Sequence, residues 1–205
     1  RAHNHFPDYR IPRPPEIYGE WRRNSRGYNL SVLAHLKPFM EAVQNWAEHR
    51  WSGLPIVNGK RCKTDSETTV TCPHDRFREV GTMGWSRPDL VENAITTAHE
   101  AFEGWNQTPA AERARCLDAF ADRMESNEHE LIALCSREAG KSLADGIAEV
   151  REAVDFCRYY AMQARRQFGE ATVMPGPTGE SNEYYLEGRG VFLCISPWNF
   201  PLAIF

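Results

Sequence analysis

Long apolar runs are missing from this sequence: nowhere does it approach the roughly 18 consecutive apolar residues that a membrane-spanning helix needs. Its opening, RAHNHFPDYR, has neither the apolar core nor the cleavage site of a secretory leader. A strong charge of one sign is missing as well. The 24 Lys and Arg against 28 Asp and Glu leave a formal net charge of -4, too little to draw the chain to nucleic acid or to an anionic membrane surface. There is no internal repeat. Paired CxxC cysteines are absent too. The six cysteines (Cys62, Cys72, Cys116, Cys135, Cys157 and Cys194) are scattered, several on apolar helix faces, and read as reduced, small core residues of a cytoplasmic protein. The GxGxxG loop of dinucleotide-binding folds occurs nowhere, so a dinucleotide, if one binds, is held in another way.

What is present is enough chain, 205 residues, for one good-sized domain or a domain with an appendage. Residues 1–28 carry four prolines and six Arg against three acids, with no apolar periodicity, and read as a linker or as a segment wrapped over a surface. Beyond Ser31 an amphipathic stretch restarts at Pro38, a fitting first helical residue, and sets Phe39, Val43, Trp46 and Ala47 on one side. Between Leu54 and Met83 the pattern turns to short strands: PIVNGK has an Asn-Gly turn, ETTVTC is β-rich and REVGTM follows a Pro-containing loop.

Three helices follow, opened by Ser86-Arg87-Pro88, by Thr108-Pro109 and by Asn127 with Glu130, each expected to bury one stripe. Gly140 fits a helix C-terminus. Ser142 with Asp145 starts a longer helix bearing Ile147, Val150, Val154, Cys157, Ala161, Ala164 and Phe168, ended by Gly169. NEYYLEG and VFLCI read as strands joined at Arg189-Gly190, and the element order by itself is α+β.

Four stretches invite a chemical reading. AGKS, Ala139 to Ser142, ends like a phosphate-binding loop, but Cys135 stands where that loop needs glycine, and a helix rather than a strand precedes it. Cys62, Cys72 and His74 match no tetrahedral zinc spacing. Cys194, placed in an apolar strand, would have its thiolate suppressed by burial. In SPWNFP, Pro197 and Pro201 fix their own φ and bias their predecessors toward extended backbone, so Trp198, Asn199 and Phe200 are presented from a stiff frame. The residues leave two readings of that frame open: a strand end sealed by aromatic packing, or a preorganised Asn199 amide aimed at an oxygen that gains charge in a transition state.

ISPWNFP resembles the signature of the aldehyde dehydrogenase superfamily, and VNGK, EVG, AFEGW with AERA, and EAGK before a long helix support the likeness over about residues 55–205. REAGKSLADGIAEVREAVDFCRYYA and RGVFLCISPWNFPLAIF are similar to the L-glutamate γ-semialdehyde (pyrroline-5-carboxylate) dehydrogenase half of the bifunctional proline utilization A family. RRNSRGYNL resembles the segment joining that half to its proline dehydrogenase partner. The resemblance implies an α/β fold, the N-terminal helical part of a Rossmann-like NAD-binding domain with a β-hairpin region and a preceding linker. Residues 1–53 would be linker and helix following a proline dehydrogenase half, and residues 54–205 the start of the NAD-binding domain.

It implies oxidation of glutamate γ-semialdehyde to glutamate with hydride passing to NAD. Asn199 would hold the oxyanion, Ile195, Ser196, Pro197 and Trp198 would line the NAD site, and Phe200 would face the aldehyde tunnel. FAD is expected only in the proline dehydrogenase half. A small-molecule aldehyde and a homo-oligomer of the full-length protein are the implied partners, with no nucleic-acid contact from this segment. The family's nucleophilic Cys and its Glu base lie beyond the signature, so the chain is expected to be a fragment, inactive by itself. A stand-alone aldehyde dehydrogenase of other specificity and a non-catalytic α+β interaction module remain alternatives.

Overall fold

The computed structural model describes residues 10–204. Among the described residues three helices form the body, α3 (Ala110–Ser126), α4 (Glu128–Ala139) and α5 (Leu143–Phe168), preceded in the chain by α1 (Leu33–Gln44) and α2 (Pro88–Gln107). Helices α3, α4 and α5 pack on one another and α1 lies against α4. Between them sits one core of Phe39, Val43, Ala121, Met124, Ile132, Ala133, Ile147, Val150, Ala153 and Val154. Among the described residues no helix is long and apolar enough to cross a membrane.

Among the described residues seven strands accompany the helices. β1 (Trp51–Gly53), β4 (Glu67–Cys72) and β5 (Asp75–Gly84) form a sheet with β5 central, antiparallel to β4 and parallel to β1. A Cβ on Gly81 would fall 1.9 Å from the carbonyl oxygen of Trp51, so that parallel pairing requires glycine at this position. The hairpin of β2 (Ile56–Val57) and β3 (Lys60–Arg61) turns at Asn58 (φ 50°) and Gly59 (φ 70°), the two positive φ angles that the Asn-Gly pair predicts. Arg137 ties sheet to helices. Its buried guanidinium donates to the carbonyls of Trp46 (3.2 Å), His49 and Glu79 (2.7 Å) and lies 5.0 Å from the centroid of the Trp51 ring.

The expected end of α4 and start of α5 are observed. Ser142 Oγ accepts the N–H of Asp145 at 3.2 Å, and Gly140, at φ 68°, closes α4 in the left-handed region where a side chain is strained. Two local expectations fail. Pro38 is not the first residue of α1 but lies inside it, where its missing N–H leaves one intrahelical bond unmade. Asn127 forms no capping box with Glu130; its side-chain amide donates back to the Arg123 carbonyl at 2.8 Å, finishing α3 instead of opening α4.

Larger differences concern partners. Helix α2 does not bury its expected stripe: it buries no residue, and Val91, Ile95 and Trp105 are exposed, because no described element packs along them. NEYYLEG pairs not with VFLCI but with Thr172–Met174, giving the small ladder β6 (Thr172–Met174) and β7 (Asn182–Tyr184). VFLCI is not a strand. Without a neighbour to take up its N–H and C=O groups it runs as exposed irregular chain, and Cys194, expected to be buried, is exposed. Cys116 is exposed as well, so only part of the cysteine set is core.

Within the Arg-rich N-terminal stretch, residues 22–28 are docked and not a solvated tether. Asp155 of α5 accepts the Ser25 N–H (2.9 Å), the Ser25 hydroxyl (2.7 Å) and an Arg22 N–H (3.1 Å), while Glu125 accepts the Arg26 N–H at 2.9 Å. The buried Glu128 carboxylate takes hydrogen bonds from Arg26 and Tyr28. Burial, and then the Glu128 bond and charge, push the Tyr28 hydroxyl up to about 12.

Candidate functional site

The ISPWNFP segment crosses the C-terminal end of α4 and the first turns of α5. Between them opens a cleft of about 770 Å³ whose walls include Cys135, Gly140, Lys141, Trp198, Asn199 and Leu202. Its volume is in the range of small-molecule sites. Ile195 and Trp198 are 83% and 90% exposed, Ser196 and Asn199 are exposed, and Pro197 is half-buried. The ring of Phe200 lies 5.2 Å from the Lys141 ammonium. The six residues singled out from the sequence thus stand on one continuous ledge, with Trp198 and Asn199 turned to the cleft.

Two side chains that sequence reasoning missed hold this ledge. Lys141 Nζ donates to the carbonyl oxygen of Asn199 at 2.8 Å and pairs with Glu149 Oε1 at 2.6 Å. Glu149 Oε2 accepts the N–H groups of Leu202 (3.2 Å) and Ala203 (2.8 Å). Glu149 is 3% exposed. One signal could have found it. It sits three residues after Gly146 and four before Ala153, on the core face of α5, where an unpaired carboxylate is costly enough to demand a partner. The AGKS motif follows a helix, as read from the sequence, and its lysine is engaged by backbone and carboxylate, contacts the sequence did not reveal.

The cleft also contains a thiol. Burial first, and then the Glu149 carboxylate, push Cys135 up to about 11, so at neutral pH it is a core thiol and not a nucleophile. At pH 8 only about one Cys135 in a thousand would be thiolate. Iodoacetamide is accordingly expected to modify the exposed Cys116 at least about tenfold faster than Cys135, as read by peptide mass spectrometry over a time course. Among the described residues no group of three or more His, Cys, Asp or Glu side chains is set to hold a metal ion.

A preorganised loop presenting an amide at a cleft beside exposed apolar surface suits an enzyme that stabilises an oxyanion next to a planar cofactor. The chain belongs to the aldehyde dehydrogenase family, whose model matches residues 61–205. Among curated proteins it is 38% identical over 200 residues to the bifunctional protein PutA of Escherichia coli K12, a match covering 98% of this chain and 14% of that protein. It is 34% identical over 177 residues to the 1-pyrroline-5-carboxylate dehydrogenase of a Geobacillus strain, covering 86% of this chain and 34% of that enzyme. Among solved structures, a 1-pyrroline-5-carboxylate dehydrogenase from Thermus with bound NAD superposes with a TM-score of 0.82 at 31% identity, over 89% of this chain and 36% of that one. The chain thus spans about one seventh of the bifunctional relative and about a third of the single-function ones.

Proposed function

We propose that the intact protein oxidises L-glutamate γ-semialdehyde, the open form of pyrroline-5-carboxylate, to L-glutamate with NAD, and that this segment supplies the oxyanion contact. The observation that carries the reading is the likeness to a bifunctional PutA over 98% of the chain, docked N-terminal stretch included. A stand-alone relative is matched over less of it. On this reading residues 1–53 join the dehydrogenase to a proline dehydrogenase half that holds FAD, and the full-length protein assembles as a homo-oligomer.

In the reaction a thiolate from outside these residues adds to the aldehyde carbon, and the carbonyl oxygen becomes an oxyanion. Asn199 donates its side-chain N–H to that oxygen and stabilises it as charge develops. NAD, when bound, accepts the hydride. Ile195 and Trp198 fit it, since both present bare apolar surface suited to a flat ring on a frame stiffened by Pro197, with the Ser196 hydroxyl beside them. Phe200 flanks the aldehyde's approach. A general base from elsewhere then activates water to release the acid.

The test is NADH formation by the intact protein, followed at 340 nm with pyrroline-5-carboxylate and with propanal as a comparison aldehyde. The expected result is kcat/KM at least about a hundredfold higher for pyrroline-5-carboxylate, the scale of a site built around substrate polar groups. Equal or reversed preference would assign the protein to another aldehyde.

A further inference from the structure

The ion pair beneath the Asn199 loop has no part in the reaction as proposed, although its geometry is too specific for a surface contact. Glu149 divides its carboxylate, one oxygen accepting two successive backbone N–H groups at Leu202 and Ala203, the other pairing with Lys141. Lys141 completes the circuit through the Asn199 carbonyl. The loop is gripped on both sides of Pro201 by one charge pair, the carboxylate buried and the ammonium half-buried, rooted just before the first turn of α5 and in its second turn. Pro197 and Pro201 contribute no N–H, and these three bonds tie down one backbone carbonyl before Pro201 and the two N–H groups that follow it. A buried carboxylate that accepts two N–H groups through one oxygen and is ion-paired to an ammonium through the other holds a backbone more directionally than side-chain packing does.

We propose that Lys141 and Glu149 are positioning residues for Asn199: they fix the backbone from which its side-chain amide is offered to the oxyanion, and so govern the chemical step without touching the substrate. The proposal rests on the reading of Asn199 given above. Its physical content is distance. An oxyanion donor acts when held about 2.7–3.1 Å from the developing charge, and a displacement of about 1 Å can cost about 10²-fold in rate.

Lys141→Met, Lys141→Arg, Asn199→Ala and the Lys141→Met/Asn199→Ala double variant, made in the intact protein, separate the possibilities through kcat, KM and thermal midpoint. Lys141→Met is expected to lower kcat about 10- to 100-fold while KM for aldehyde and NAD stays within about threefold, the pattern of weakening an interaction that forms only in the transition state. Lys141→Arg keeps the charge and the reach and is expected to recover most of the loss. The double variant is expected to be no slower than Asn199→Ala alone, because both changes act through one amide. Lys141→Gln, which keeps a donor but not the charge, supplies the same comparison should the Met variant fail to fold. A Lys141→Met enzyme as fast as the parent, or losses that multiply in the double variant, would overturn the positioning role while leaving the Asn199 reading intact. An Asn199→Ala enzyme with parental kcat would overturn both.

Discussion

Asn199→Ala in the intact protein is expected to lower kcat about 10²- to 10³-fold with little change in KM, the loss of about 2.7–4 kcal/mol of transition-state stabilisation that one oxyanion donor supplies. The side chain is exposed on a loop whose anchoring runs through backbone groups and not through its own amide. Its truncation should therefore leave stability within about 0.5 kcal/mol of the parent, the usual range for surface positions. Asn199→Asp is expected to be slower still, since a carboxylate would face the oxyanion across the same distance. Steady-state kinetics with a thermal melt on each variant decide the matter. A rise in KM at constant kcat would make Asn199 a ground-state contact and remove it from the chemistry.

Arg158→Ala is expected to destabilise the fold by about 3–5 kcal/mol, the cost of stripping one partner from a buried charge pair. The Arg158 guanidinium, 5% exposed in the α3–α5 interface, donates to Glu125 at 2.8 and 3.3 Å and to Asp122 at 2.8 Å. Glu125 also accepts the Arg26 N–H, so the substitution should loosen the docked stretch at residues 22–28 together with the helices. The sign of the pH dependence follows from the same contacts. Burial alone would raise the Glu125 carboxyl, but the Arg158 hydrogen bonds and the Arg26 N–H outweigh it and hold the group below its ordinary 4.5. Its stabilising contribution is complete above that value and fades as pH falls through the lowered one. Protonation meanwhile relieves the unpaired carboxylate in the variant. The deficit measured by denaturant titration is thus expected to be largest near pH 7 and to shrink below about pH 4.5. Replacing Arg158 and Glu125 together by Met and Leu is expected to cost far less than Arg158→Ala, because no charge is left stranded.

The legible parts of the fold are those coded within a few residues. The Asn58–Gly59 turn, the Ser142 cap, the Gly140 terminus and the length of α5 are all readable because each depends on the φ preference or hydrogen-bonding reach of residues at most four apart. Asn127 shows where such reading becomes ambiguous: its side chain can finish one helix or open the next, and both options are local. VFLCI shows where it fails. An apolar β-branched run becomes a strand only beside another strand, and here no described strand stands beside it.

The sequence by itself determined the helices, the hairpin and the stiff Pro-bracketed ledge at residues 195–201, and its signature already pointed to an aldehyde dehydrogenase. Only the tertiary structure decided what holds that ledge. Lys141 meets the Asn199 carbonyl across 58 residues, and Glu149 meets Leu202 across 53. No periodicity or cap rule spans such separations. A buried carboxylate in an apolar stripe announces that a partner must exist, whereas the packing of α4, α5 and the loop around one cleft selects which groups fill that role.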